Sequence, residues 1–315
     1  MKRTITLVAA GAALALGLTA CGSGASSGGS GASEGSIKIG MSVSTLNNPY
    51  FVQLRKGAED EAKKQGVTLT VTDAQNDASQ QVNQIQNFAS QSMKAVIINP
   101  VDSDAAGAAV TAAERSKIPV IAVDRAVNGA TVAQTVASDN VEGGKLAAQE
   151  LAKQLGEKGQ VVVLQGVAGT SASRDRGQGF TEGIKAYPNI KVVAQQPADF
   201  DRTKGLDVMT NLLQSNPDVS GVFAENDEMA LGALKALGAK AGKDVKVVSF
   251  DGTPDGLKAI QDGTLNASVA QQPALLGQQA VQGAIKAANG EKVEATVAVP
   301  VKVVTKDNVA EFATS

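Results

Sequence analysis

The chain has 315 residues, with 29 Lys and Arg against 31 Asp and Glu, a net charge of -2, one cysteine and no histidine. Near-neutral charge without a basic block argues against nucleic acid as a partner. The lack of histidine removes the usual general base, the usual zinc ligand and the Ser-His and Cys-His nucleophile systems, so no catalytic residue, cofactor or metal is expected.

Lys2 and Arg3 precede an apolar run from Ile5 to Leu18 that is too short for a comfortable bilayer span, the pattern of a signal peptide over residues 1–20. The sequence Leu18-Thr19-Ala20-Cys21 resembles the lipobox of bacterial lipoproteins. That resemblance implies a lipidated Cys21 at the new terminus, anchoring the protein to the cell membrane outside the cytoplasm; a secreted protein with a stray cysteine is the plain alternative. Residues 22–35 are almost all Gly, Ser and Ala, a flexible composition that buries no core, so 21–35 reads as lipidated cysteine and tether. No later segment approaches eighteen apolar residues without a charge.

The remaining 280 residues, 36 to 315, suffice for two lobes. Short apolar, β-branched runs predict strands at Ile37–Val43, Val67–Val71, Ala95–Ile98, Val120–Val123, Val161–Leu164, Ile190–Val193, Val219–Phe223, Val245–Phe250 and Ala267–Ala270. Helical periodicity fills most of the gaps, at Phe51–Gln65, Ala78–Gln91, Ala105–Ser116, Val141–Leu155, Arg202–Gln214 and Glu228–Leu237. Alternation of strand and helix predicts an α/β fold of doubly wound parallel sheets, and near-continuous apolar strands agree with burial on both faces. Nine such units exceed one compact sheet. The pattern restarts after Gln134-Thr135-Val136-Ala137-Ser138, which places a lobe boundary near residue 138.

Doubly wound sheets bind ligands beyond the carboxyl ends of their strands. Those positions hold Asn48, Tyr50 and Phe51, then Asn99 and the pair Asp124 and Arg125; in the second half they hold Arg174, Phe200, Asn226 with Asp227, Asp251 and Gln271. Amides, carboxylates and guanidiniums bind neighbouring hydroxyls in pairs, and aromatic faces cover the C–H faces of a sugar ring. Of nine aromatics in the chain, three stand in these polar loops. Taken singly, each residue has a bland explanation: Asn226, Asp227 or Asp251 as a helix N-cap, Phe51 as a hydrophobic staple, Asn99 as a turn residue before proline, Arg174 as a solvated helix charge. Their shared place at successive strand ends is what capping alone does not explain. Gly177-Gln178-Gly179 with Gly183 has the wrong spacing for a dinucleotide loop and falls in a helical segment.

Several runs resemble a known family: Ser44-Thr45-Leu46-Asn47-Asn48-Pro49, Ile98-Asn99-Pro100-Val101-Asp102-Ser103-Asp104-Ala105, Leu164-Gln165-Gly166-Val167-Ala168-Gly169-Thr170-Ser171, Gln196-Pro197-Ala198-Asp199-Phe200-Asp201-Arg202, Asn226-Asp227-Glu228-Met229-Ala230-Leu231-Gly232 and Phe250-Asp251-Gly252-Thr253-Pro254-Asp255-Gly256. The chain from about 36 to 304 is similar to the periplasmic sugar-binding proteins that serve ABC transporters, in the combination expected for D-ribose. The resemblance implies the type I fold of that family: two lobes joined by three hinge crossings, an N-terminal lobe of residues 36–138 plus 272–300 and a C-terminal lobe of 139–271 plus 301–315. It implies a monomer that binds one sugar and delivers it to a membrane permease and its ATPase. It also implies that Asn48, Asp124, Arg125, Arg174, Asn226, Asp251 and Gln271 bind the sugar's oxygens, that Tyr50, Phe51 and Phe200 sandwich its ring, and that Asn99 supports Asp124. Tyr50 departs from the phenylalanine usual in the family, its hydroxyl reaching solvent or a partner between the lobes. The neighbouring arginines are expected to hold Asp124 and Asp251 ionised. Another pentose, a hexose or a furanose is the competing ligand class, and a sugar-processing enzyme using the two aspartates as acid and base is a further rival.

Overall fold

The structure is a computed structural model that describes residues 36–312; the predicted signal peptide, Cys21 and the tether lie outside the described residues. In chain order, β1 (Lys38–Val43), α1 (Pro49–Gln65), β2 (Thr68–Asp73), α2 (Ala78–Ser90), β3 (Ala95–Ile98), α3 (Ala106–Arg115), β4 (Val120–Val123) and β5 (Gln134–Ser138) open the first lobe. The second lobe runs through α4 (Asn140–Leu155), β6 (Lys158–Gln165), α5 (Ser171–Ile184), β7 (Asn189–Pro197), α6 (Arg202–Ser215), β8 (Gly221–Ala224), α7 (Asp227–Leu237), β9 (Lys246–Asp251), α8 (Pro254–Asp262) and β10 (Ala267–Ala270). The chain then returns through α9 (Pro273–Ala288) and β11 (Thr296–Val299) to the first lobe, and β12 (Lys302–Thr305) completes the second.

Two six-stranded sheets result, ordered β11-β5-β4-β3-β1-β2 and β12-β10-β9-β8-β6-β7. All pairings are parallel except the antiparallel edge of β10 with β12. The central strands β3, β4, β8 and β10 are buried along their whole length, as expected of strands covered by helices on both faces. Separate apolar clusters accordingly pack on the two faces of each sheet, with Phe180 and Phe223 stacked at 4.4 Å in the second lobe. The chain passes between lobes three times: from β5 to α4, from β10 to α9, and from β11 to β12.

Strand order reverses direction beside β1 in the first sheet and beside β6 in the second, so each sheet has a crevice at its carboxyl edge. These crevices face one another. The stretch read from sequence as a boundary, 134–138, is itself the strand β5, and the sequence reading did not include the four-residue, largely unburied strands β11 and β12.

One close contact fixes a part of the site. Helices α4 and α5 approach through Gly144 and Gly179: a Cβ on Gly179 would lie 2.0 Å from the Val141 carbonyl oxygen, and one on Gly144 2.2 Å from the Arg176 carbonyl oxygen. Only glycine permits that approach, which sets the turn of α5 that carries Arg176.

Candidate ligand-binding site

The walls of the cleft come from residues at strand ends and helix starts. Asn48 caps α1, its Oδ1 accepting the Tyr50 N–H at 2.9 Å, and Pro49 suits the first helical turn. The cap aims Tyr50 and Phe51 from the first turn of α1 into the cleft. Asn226 caps α7 through a 2.9 Å bond from the Met229 N–H, and its amide donates to the Phe200 carbonyl at 3.4 Å. Both asparagines are therefore caps and cavity residues at once.

Asp251 is not a cap. Thr253 caps α8, while Asp251 Oδ1 accepts the Gln271 amide at 2.7 Å and faces Arg176 Nη1 at 3.7 Å. Asp227, by contrast, is absorbed inside the second lobe, accepting hydrogen bonds from Ser249, Ser268 and Thr253. Three cavity residues hold left-handed backbone without being glycine: Asp124 (φ 66°), Phe200 (φ 58°) and Asp251 (φ 122°). Such strain costs on the order of 1–3 kcal/mol at each position and tends to gather at functional sites.

Asn48, Tyr50, Phe51, Asp124, Arg125, Ala172, Arg176, Phe200, Asn226, Asp251 and Gln271 line a narrow pocket between the lobes. Arg125 lies between aromatic rings from opposite lobes, its Cζ 5.3 Å from the centre of Phe51 and 5.5 Å from that of Phe200. Its Nη1 donates to the Pro100 carbonyl at 2.8 Å, whereas its buried Nε has no hydrogen-bond partner and stands 3.6 Å from Asp124 Oδ2. Asn99 braces Asp124 from behind, donating to Oδ2 at 3.2 Å and accepting the Ser44 N–H. Tyr50 packs edge-on to Phe51, and its buried hydroxyl lies between Asp124 Oδ1 and Gln271 Oε1 rather than in solvent.

The sequence reading placed Arg174 in the site, and the structure corrects this to Arg176. Thr170 caps α5, so Arg174 and Arg176 lie on one helix and, two residues apart, point to nearly opposite sides. Arg174 is 54% exposed and pairs only with its neighbour Asp175. Arg176 is buried, donates to Asn140 Oδ1 at 2.9 Å and to the Glu225 carbonyl at 2.7 Å, and stacks on Phe250 at 3.9 Å. Counting helical turns from Thr170 would have separated the two arginines.

Electrostatics give a second correction. Burial pushes Asp251 well above the usual carboxylate range, and Arg176, too far for a good hydrogen bond, only partly opposes this. Glu225, which the sequence reading passed over, is buried behind Arg176 and pushed up to about 7, chiefly by desolvation. Its Oε2 accepts the Gly166 N–H and the Ser173 hydroxyl, while its buried Oε1 has no partner.

The lobes are shut in this structure. Ser103 N–H donates to the Gly169 carbonyl at 3.0 Å, Ser171 N–H to Ser103 Oγ at 3.1 Å, and Ala126 N–H to Ser171 Oγ at 2.8 Å, all across the cleft rim. Among the described residues, no group of His, Cys, Asp and Glu could hold a metal ion, and no helix is long and apolar enough to cross a membrane.

Residues 39–292 match the sequence profile of the periplasmic binding protein domain. The chain is 52% identical over 268 residues to the ribose import binding protein of Salmonella typhimurium, covering 85% of this chain and 90% of that one. It is 49% identical over 268 residues to the ribose import binding protein of Bacillus subtilis, covering 85% and 87%. Among solved structures it superposes, with a TM-score of 0.83 and 36% identity over 89% of this chain and 98% of the other, on an ABC transporter solute-binding protein from Bacillus halodurans with bound myo-inositol. Two parallel-sheet lobes, a cavity walled by both and this similarity along most of its length establish that the chain belongs to the periplasmic binding protein family.

Proposed function

We propose that the protein is the substrate receptor of an ATP-driven sugar importer, that it binds D-ribose between its lobes, and that it delivers the sugar to a membrane permease. The observation that carries this reading is the cavity itself: phenyl rings of Phe51 and Phe200 from opposite lobes, with Arg125 between them, inside a rim of Asp124, Asn226, Asp251, Arg176 and Gln271. Flat apolar walls suit the faces of a sugar ring. Amide, carboxylate and guanidinium groups suit hydroxyls that both donate and accept. The names of the Salmonella and Bacillus relatives support ribose among the possible sugars. Because every polar wall group desolvates on closure, a ligand lacking a hydroxyl leaves a buried partner unpaired and is strongly rejected.

Calorimetric titration with D-ribose, D-xylose, L-arabinose, D-allose and D-glucose tests the assignment. D-Ribose should bind tightest. A tenfold or greater preference for any other member would overturn ribose while leaving the receptor reading in place.

The anchor is part of the same proposal. With Leu18-Thr19-Ala20-Cys21 and the Gly/Ser run behind it, acylated Cys21 would hold the binding domain near the permease outside the cytoplasm. Cys21→Ser should leave sugar binding intact and release the protein into the soluble fraction. Retention of the variant with the membrane sinks the anchor.

A further inference from the structure

Tyr50, Asp124, Gln271 and Asp251 form one line of polar contacts through the cleft. Tyr50 Oη lies 2.7 Å from Asp124 Oδ1 and 3.0 Å from Gln271 Oε1, and Gln271 Nε2 lies 2.7 Å from Asp251 Oδ1. Three contacts need three hydrogens. The hydroxyl supplies one, and the amide, whose nitrogen can face only one of its two neighbours, supplies another. Turning the amide over changes nothing, because its nitrogen then serves Tyr50 while its oxygen faces Asp251. With both aspartates ionised, one contact lacks a hydrogen in either arrangement. A single proton completes the line. On Asp124 it makes the donors run from Asp124 through Tyr50 and Gln271 to Asp251; on Asp251 it makes them run the other way.

The line crosses the hinge. Tyr50 and Asp124 belong to the first lobe, whereas the Gln271 backbone N–H is bonded to the Asp251 carbonyl of the second at 2.9 Å. Rotation of the lobes apart therefore pulls Tyr50 from Gln271 and returns both aspartates to water.

The charges around the line favour a proton when the cleft is shut. Arg125 faces Asp124 and Arg176 faces Asp251, at 3.6 and 3.7 Å, too long to be hydrogen bonds. Asp227 stands beside Asp251 at the start of α7, and Glu225 stands behind Arg176 at the end of β8. Four buried carboxylates, Asp124, Glu225, Asp227 and Asp251, thus stand against two buried guanidiniums. Burial already pushes Asp251 upward, and Asp227 and Asp124 add to that push.

We propose that, without a ligand, the cleft shuts by taking up one proton on the Asp124–Tyr50–Gln271–Asp251 line, so that external acidity and sugar hydroxyls are alternative ways of closing it. This rests on the reading that the lobes close on a sugar, whose hydroxyls donate to the same carboxylates. Acid and sugar then compete for the closed form. The Tyr50 hydroxyl is the link that makes the proton necessary.

Small-angle scattering on the purified protein, without sugar and saturated with D-ribose, tests this between about pH 8 and about pH 5. Without sugar, the radius of gyration should fall toward the sugar-saturated value as the pH drops. The closure constant should rise by up to about tenfold per pH unit, the signature of one proton. Tyr50→Phe and Gln271→Met cut the same contact from opposite sides. Each, once shown to melt cooperatively, should lose the acid contraction. A sugar-free radius that stays constant over this range, or that contracts equally in both variants, overturns the proposal. Acid contraction in a protein that D-ribose leaves open at both pH values would instead sink the sugar reading and keep the proton line.

Discussion

Replacement of Arg176 by methionine, with Arg174→Met as its control, tests how the second lobe builds its wall. Arg176 makes two charge-assisted hydrogen bonds, to Asn140 Oδ1 and the Glu225 carbonyl, lies 3.9 Å above Phe250 and is the cation nearest Asp251. Methionine keeps much of the apolar stem but leaves two buried acceptors, Asn140 Oδ1 and the Glu225 carbonyl, short of a donor and Asp251 without its neighbouring cation. Hydrogen bonds to charged groups are worth about 1.5–3 kcal/mol, and removing one member of a buried ion pair costs about 3–5 kcal/mol. Part of the loss falls on the fold, so the melting temperature without sugar should drop. At least one interaction of about 1.5–3 kcal/mol is lost by the closed, sugar-bound form, which weakens affinity roughly ten- to hundredfold. Arg174, more than half exposed and paired with an adjacent aspartate, belongs to a class of surface ion pairs of little value, and its replacement should change affinity by well under tenfold. Calorimetry and melting curves on both variants decide. Equal losses in the two, or a larger loss in Arg174→Met, would refute the assignment of Arg176 to the cavity wall.

Three other outcomes follow from the geometry. Asp251→Asn should weaken ribose binding about ten- to hundredfold while the sugar-free melting temperature holds or rises, because burial disfavours the charge that the amide removes; unchanged affinity in calorimetry would take Asp251 out of the site. Ser103→Ala removes one of the bonds across the cleft rim without touching the cavity, and should lower affinity by about two- to tenfold, through faster release in stopped-flow measurements. For Glu225, whose folded value of about 7 lies above that of an unfolded glutamate, the native state binds the extra proton, so stability should decline as pH rises from about 4.5 through 7; Glu225→Gln should flatten a loss of roughly 3 kcal/mol in denaturant titrations, and an unaltered slope would contradict the burial argument.

Much of the cleft was legible without coordinates, for one reason. In a doubly wound sheet the polar residues that follow buried apolar strands must emerge at the same edge, so a strand pattern is also a map of the crevice. Asn48, Phe51, Asp124, Arg125, Phe200, Asn226, Asp251 and Gln271 were found in this way, and the structure gathers them around one cavity. The method fails where the side chain lies beyond the first few residues of a helix, since direction turns by about 100° per residue and depends on where the helix begins. Arg174 and Arg176 were separable only once Thr170 was known to cap α5.

The sequence by itself determined the alternation of strand and helix, the two lobes and the chemical character of the strand ends, because burial of apolar runs and the polarity of turns are local properties. Tertiary structure decided what depends on residues distant in the chain. Tyr50 meets Gln271 across 221 positions, and no local pattern announces that contact. Asp251 is held above the usual carboxylate range because packing removes its water faster than Arg176, 3.7 Å away, can compensate. The same holds for Glu225, which in sequence is only a glutamate beside an asparagine, and whose burial behind Arg176 exists only when β6, α5 and β8 have come together.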